Sequence, residues 1–182
     1  MRSSRRGFLG HGLRAVAAGG LVMQAAPAMA AFGYGQRRLS LDHLHTNERL
    51  SLVYAVGEDF LPQSISRLNY FLRDHYTGIA GIMDPRLYDI MHQVRGLLAT
   101  NAPFEIISGY RSPATNERLR TTRGGGVAKQ SLHTQGKAVD IRMTGVPLAE
   151  LRDAAKSLEA GGVGYYPRDN FVHIDTGRVR YW

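Results

Sequence analysis

Ser131-Leu132-His133-Thr134-Gln135-Gly136-Lys137-Ala138-Val139-Asp140 is the stretch on which the reading of this chain turns, and Phe171-Val172-His173-Ile174-Asp175 complements it. The first places a histidine and an aspartate seven residues apart. That separation is not helical here, because Gly136 interrupts it and the residues that follow are β-like. A loop that carries His133 and turns into a strand carrying Asp140 can bring both side chains to one point. A neighbouring strand over residues 171–175 would present His173 beside them. Two imidazoles and one carboxylate are what a catalytic zinc takes from protein, with a fourth position left open. Spacing alone does not decide the matter: a lone histidine is most often a surface or hydrogen-bonded residue, and the chain has seven.

The chain has no cysteine, so disulfides, thiolate zinc sites and cysteine nucleophiles are excluded. Any metal must be held by His, Asp or Glu. His43, His45, His75 and His92 read as ordinary residues, although His43 and His45 would share a strand face that a stray metal could use.

Around these segments the pattern mixes strands and helices. Leu39 to Thr46 and Arg49 to Val56 alternate partly and read as a hairpin, after a flexible leader over 31–37. Residues 62–76 carry Ile65, Leu68, Phe71 and Leu72 at helical spacing. Asp84-Pro85 reads as a helix start, and Leu87, Ile90, Met91, Val94, Leu97 and Leu98 form one apolar face behind it. Phe104 to Ser108 reads as a buried strand leading into Gly109-Tyr110-Arg111-Ser112-Pro113, a short helix near 114–121 and a glycine-rich loop over 123–129. Lys137 to Met143 is an expected strand and Pro147 to Leu158 an expected helix. Gly164 to Tyr166 and Phe171 to Asp175 are expected short strands. Without regular βαβ alternation this predicts an α+β fold, a small antiparallel sheet flanked by helices.

The 182 residues suffice for one domain with a core. The net charge of +8 is partly an N-terminal matter. Residues 1–30 hold Arg2, Arg5, Arg6 and Arg14 and no acid, and without them 19 basic residues face 15 acidic ones, a net +4. No dense basic run with interleaved aromatics is present, so nucleic-acid binding is not expected. Arg5-Arg6 before Phe8-Leu9, an apolar Ala/Gly stretch from Leu13 to Ala26, and Ala28-Met29-Ala30 read as an export signal over residues 1–30. The paired arginines resemble a twin-arginine signal, a class that carries folded proteins. A Sec-type signal or an uncleaved anchor are the alternatives. The mature chain, 31–182, is then expected in the periplasm as one domain, a monomer with no transmembrane segment.

Ser131-x-His133-x-x-Gly136-x-Ala138-x-Asp140, followed by His173, resembles the signature of the zinc D-alanyl-D-alanine peptidase superfamily, which includes lysostaphin-type enzymes and hedgehog domains. The likeness extends through Ser108-Gly109-Tyr110-Arg111-Ser112, Gly126-Val127-Ala128-Lys129, Gly161 to Arg168, and Phe171 to Gly177. It covers most of residues 38–182, including Tyr181-Trp182, and within the superfamily it is nearest to the murein endopeptidases. It implies one zinc ion on His133, Asp140 and His173. It also implies peptidoglycan stem peptides as substrate, with the L,D bond between two meso-diaminopimelates cut. Arg111 matches an arginine that polarises the scissile carbonyl in the carboxypeptidase branch. Independently, a guanidinium beside zinc can stabilise an oxyanion; a structural ion pair is its alternative role. Tyr110 and Ser131 are candidate substrate contacts, Ser131 equally a loop cap.

The likeness breaks at one position. Many superfamily members carry Glu or Asp three residues before the last histidine as general base, and here that residue is Asn170. Asp169 and Asp175 are the nearby carboxylates. Asp175 shares a strand face with His173 and is the preferred base, with orienting a ligand or bonding a turn backbone as its other possible roles. A D,D-carboxypeptidase or D,D-endopeptidase, and a catalytically silent zinc-bearing wall-binding module, are the rival functions.

Overall fold

The computed structural model describes residues 35–122 and 127–182. The export signal expected over 1–30, residues 31–34 of the expected leader, and Arg123 to Gly126 of the glycine-rich loop lie outside the described residues, and the leader's Gln36 and Arg37 begin a strand instead. In chain order the strands are β1 (Gln36–His43), β2 (Arg49–Val56), β3 (Asp59–Phe60), β4 (Phe104–Ser108), β5 (Ala138–Met143), β6 (Gly162–Tyr166), β7 (Phe171–Asp175) and β8 (Arg180–Tyr181). The helices are α1 (Pro62–Phe71), α2 (Arg86–Leu97), α3 (Pro113–Thr122) and α4 (Leu148–Ser157).

Local signals account for most element ends. The hairpin β1–β2 turns at Asn47, whose φ of 57° is one that asparagine tolerates. Helix α1 stops at Phe71, short of residue 76, because the Asp74 carboxylate takes the amides of Tyr76 and Ser112, both at 2.9 Å. Asp84 accepts the Arg86 amide at 3.1 Å and so starts α2, as its place before Pro85 predicts. Leu87, Tyr88, Ile90, Met91 and Val94 bury the inner face of α2.

The strands form one sheet in the order β3-β2-β1-β4-β5-β7-β6-β8. The α+β class is as the pattern predicts. The sheet differs from the small antiparallel one expected: it has eight strands and is mixed, with β1–β4 and β6–β8 paired in parallel. A parallel pair needs a long crossover, and the segment between β1 and β4 supplies it through α1 and α2. Strands β3 and β8 are two residues each, too short to leave a period-2 signature.

The two faces of the sheet do different work. Val139 and Ile141 on β5, Val172 and Ile174 on β7, and Val163 on β6 turn one way into the apolar core. Helix α4 packs on β5, β6 and β7 on this side and meets α2. Full burial of each such side chain contributes about 1.5–3 kcal/mol. The alternate residues Asp140, His173 and Asp175 project to the opposite face. Register then sets the site: Asp140 lies directly opposite His173, His173 opposite Gly164, and Ser108 opposite Asp140. The β4–β5 pairing slips between Ile106 and Ser108, a bulge of the kind that re-aims side chains beside active sites. No helix among the described residues is long and apolar enough to cross a membrane.

Candidate metal centre

His133 reaches the sheet face from a 3-10 turn, Leu132–Gln135, that the sequence builds at both ends. Ser131 caps it, its Oγ accepting the His133 amide at 3.3 Å. Gly136 ends it in the left-handed region at φ 68° and presses on the Ile82 carbonyl, where an added Cβ would sit 2.0 Å from the oxygen. Only glycine meets both demands. The chain then enters β5 and delivers Asp140. On β6, Gly162 and Gly164 leave the site face without side chains: a Cβ on Gly162 would strike the Asp175 carboxylate, and one on Gly164 the Trp182 ring.

Three atoms able to ligate a metal converge here. His173 Nδ1 is 2.8 Å from Asp140 Oδ1, and His133 Nε2 is 3.2 Å from both of those atoms. Donors bonded to zinc at about 2.0–2.1 Å lie roughly 3.3 Å apart in a tetrahedron, so these spacings fit a zinc-sized ion. The remaining ring nitrogens are also committed. His133 Nδ1 donates to the Gly109 carbonyl at 2.7 Å, which leaves the Nε2 lone pair for a metal. His173 Nε2 donates to Asp175 Oδ2 at 3.0 Å, which leaves Nδ1. His133, Asp140 and His173 are the one group of three possible metal-ligating side chains found among the described residues.

The electrostatics favour a cation. Burial works against ionising Asp140, but the His133 and His173 imidazoles hold its carboxyl well below the usual range. Burial likewise works against charging His173, and the carboxylates of Asp140 and Asp175 override it, pushing this imidazole up to about 9. The carboxylates of Asp140 and Asp175 on either side thus favour positive charge at His173. A positive charge is already demanded at the point where the three ligand atoms meet.

Asp175 is buried and surrounded by donors. Besides His173, it accepts from the amides of Gly162 (3.1 Å) and Gly177 (2.8 Å) and from both Arg180 terminal nitrogens (3.0 and 2.7 Å). Burial opposes its ionisation, while His173, Arg180 and the Gly177 amide hold it well below an ordinary carboxylate. Its side chain has no solvent exposure.

Arg111 approaches the cluster from the β4–α3 connection. Its guanidinium is 3.8 Å from Asp140 Oδ2, 3.3 Å from Ser108 Oγ and 3.5 Å from Asn116 Oδ1. Its amide donates to the His133 carbonyl at 3.2 Å, tying the two segments together. A cleft of about 450 Å³ opens over the cluster, lined by Tyr110, Arg111, Ser131, His133, Asp140 and His173 and by Asp169, Tyr166 and Trp182. Ser131 is therefore both the cap of the turn and part of the wall. Asp169 is exposed on the cleft. Asn170 is exposed in the β6–β7 turn with φ 56°, a backbone state asparagine tolerates well.

Sequence reasoning missed Arg180, the Gly109 carbonyl and Trp182 as parts of the site. Trp182 packs 5.4 Å from the His173 ring and donates from Nε1 to the Tyr166 hydroxyl at 2.6 Å. No local spacing signals these contacts; they arise from sheet register and the β6–β8 pairing.

Residues 32–182 match the family described as peptidoglycan L,D-endopeptidase MepK (Peptidase_M15_2). The chain is 44% identical over 172 residues to the peptidoglycan L,D-endopeptidase MepK of Escherichia coli strain K12, covering 92% of this chain and 94% of that protein. The same identity and coverage hold for the protein of that name from Shigella flexneri. A probable peptidoglycan L,D-endopeptidase MepK of Haemophilus influenzae is 44% identical over 147 residues, 80% of this chain and 78% of its own length.

Proposed function

The chain belongs to the Peptidase_M15_2 family and is a peptidase, and from that premise we propose that it hydrolyses peptide crosslinks of peptidoglycan with one zinc ion, cutting the L,D bond between two meso-diaminopimelates. The observation that carries the reading is the convergence of His133 Nε2, Asp140 Oδ1 and His173 Nδ1, 2.8–3.2 Å apart beneath an open cleft. Zinc on these atoms would supply a Lewis acid that polarises the scissile carbonyl and acidifies the attacking water.

The chain's own residues supply the rest. Arg111 faces the cleft and donates to the oxygen that gains charge as the carbonyl becomes tetrahedral. The Gly109 carbonyl and Asp175 fix the tautomers and orientations of His133 and His173. Asp175 was the preferred base on sequence grounds; its contacts argue for the orienting role instead, because every lone-pair direction already meets a donor. Of the remaining carboxylates on the cleft, Asp74 is taken up by backbone amides. Asp169 is exposed there, and we assign it the water proton. Tyr110 and Ser131 line the substrate wall. Arg5-Arg6 and the Ala28-Met29-Ala30 segment support export to the periplasm through a twin-arginine-type signal.

The test is mass spectrometry of muropeptides with 3-3 or 4-3 crosslinks, incubated with residues 31–182 with and without a chelator. Chelator-sensitive cleavage confined to the 3-3 species is the expected result. Cleavage of the 4-3 species moves the enzyme to the D,D class, and no cleavage by protein shown to hold zinc makes it a wall-binding module.

A further inference from the structure

The cleft wall continues beyond the metal-binding residues to His45, His75 and Tyr76, a part that the proposed chemistry does not use. Here three rings pack in series. His45 lies on His75 with centroids 4.1 Å apart and planes at 12°, and His75 lies against Tyr76 at 4.2 Å and 38°. The Arg118 guanidinium, on α3, sits 4.2 Å over the Tyr76 ring. Arg118 is exposed, and no carboxylate among the described residues forms an ion pair with it. Stacking on tyrosine holds its planar fork in place while leaving its donors at the edge, the geometry that suits a carboxylate.

The surroundings agree with an anion. Burial, His45, Arg111 and Arg118 together keep His75 uncharged, down at about 4, with only Asp74 opposing them. Asp74 is buried and directs its two oxygens at the amides of Tyr76 and Ser112. Its charge is thus spent inside the fold.

We propose that Arg118, framed by Tyr76 and the stacked His45–His75 pair, forms a subsite for a carboxylate of the substrate. This rests on the peptidoglycan reading above. The crosslink joins a carboxyl of one diaminopimelate to an amine of the other, so each residue keeps the carboxylate of its D-centre. A cation stacked on the wall residue Tyr76 selects crosslinks in which that carboxylate is free over those in which it is amidated.

The experiment compares two 3-3 crosslinked muropeptides, one with free and one with amidated diaminopimelate carboxylates. The zinc-loaded protein and its Arg118→Ala and Arg118→Lys variants are used, with kcat and KM read separately and binding measured in parallel by calorimetry. The expected wild-type preference for the free acid is about tenfold in kcat/KM, carried by KM. It should fall to about one in Arg118→Ala and survive in part in Arg118→Lys. Equal handling of the two substrates by wild type, or an undiminished preference in Arg118→Ala, overturns the subsite. If neither substrate is cleaved, the peptidase substrate reading fails. The calorimetric preference then still decides the subsite: a free-acid preference lost in Arg118→Ala supports it, and equal affinities overturn it.

Discussion

His173 Nε2 donates to Asp175 Oδ2 at 3.0 Å, from a residue two places earlier on the same strand face, and Arg180 grips that carboxylate through both terminal nitrogens. The fold therefore uses Asp175 to hold the His173 imidazole, with Arg180 and two backbone amides holding Asp175 in turn. This arrangement separates two roles that the sequence leaves together.

The separation is testable by a pair of substitutions. Asp175→Asn should weaken zinc affinity by about 10–100-fold, and excess zinc should recover much of the turnover. Asp169→Asn should leave zinc affinity unchanged and lower kcat by roughly 10²–10⁴. Competition titration with a chromophoric chelator, beside muropeptide turnover, reads both. A zinc-saturated Asp175→Asn enzyme that stays inactive would return the base role to Asp175.

His133→Ala removes one of three ligands and should abolish both metal binding and cleavage. The cost to the fold is that of the Nδ1 bond to Gly109, about 1–3 kcal/mol, so the far-ultraviolet circular dichroism spectrum should be retained. Metal analysis of the purified variant checks this, and one equivalent of retained zinc would refute the ligand set.

Arg111→Ala should keep zinc and lower kcat by about 10²–10³, the usual cost of losing one oxyanion donor. Arg111→Lys should recover part of it. A loss confined to KM would instead make Arg111 a ground-state binding residue.

Gly136→Ala places a Cβ 2.0 Å from the Ile82 carbonyl in a left-handed backbone. Strain and displacement should together cost more than about 3 kcal/mol and misplace His133. Urea denaturation reads the first effect. Gly145, also at positive φ but with nothing near its Cβ, is the control: Gly145→Ala should cost only about 1 kcal/mol.

The histidine cluster predicts a pH dependence. Burial, with His75 and His45 beside it, pushes His43 down to about 4 from an ordinary 6.5, and burial with His45 does the same to His75. Between those values the unfolded chain binds protons that the folded chain refuses. The contribution of these two histidines should thus be full above about pH 6.5 and fall as the pH drops towards 4, by at least about 1 kcal/mol. Denaturation midpoints at pH 7.5 and 5.0 check this, and His43→Phe should flatten the profile. A stability that is level or rises on acidification would contradict it.

The sequence by itself determined the α+β class, the hairpin at Asn47 and the amphipathic helix expected over Leu87 to Leu98, of which Leu87 to Val94 are buried and Leu97 is exposed, and it singled out His133, Asp140 and His173 as candidate metal residues. These are local matters: hydrophobic period, caps, and a His-to-Asp spacing whose intervening Gly136 is forced by a positive φ. Only the tertiary structure decided the rest. The place of β1 beside β4, the two-residue strands β3 and β8, and the meeting of Asp175 with Arg180 all depend on which strands pair and in what register. Pairing is fixed by burying Val139, Ile141, Val172 and Ile174 together against α4, an interaction between residues far apart in the chain. No window of sequence contains it, and so the contacts of Asp175 became visible only once its neighbours were in place.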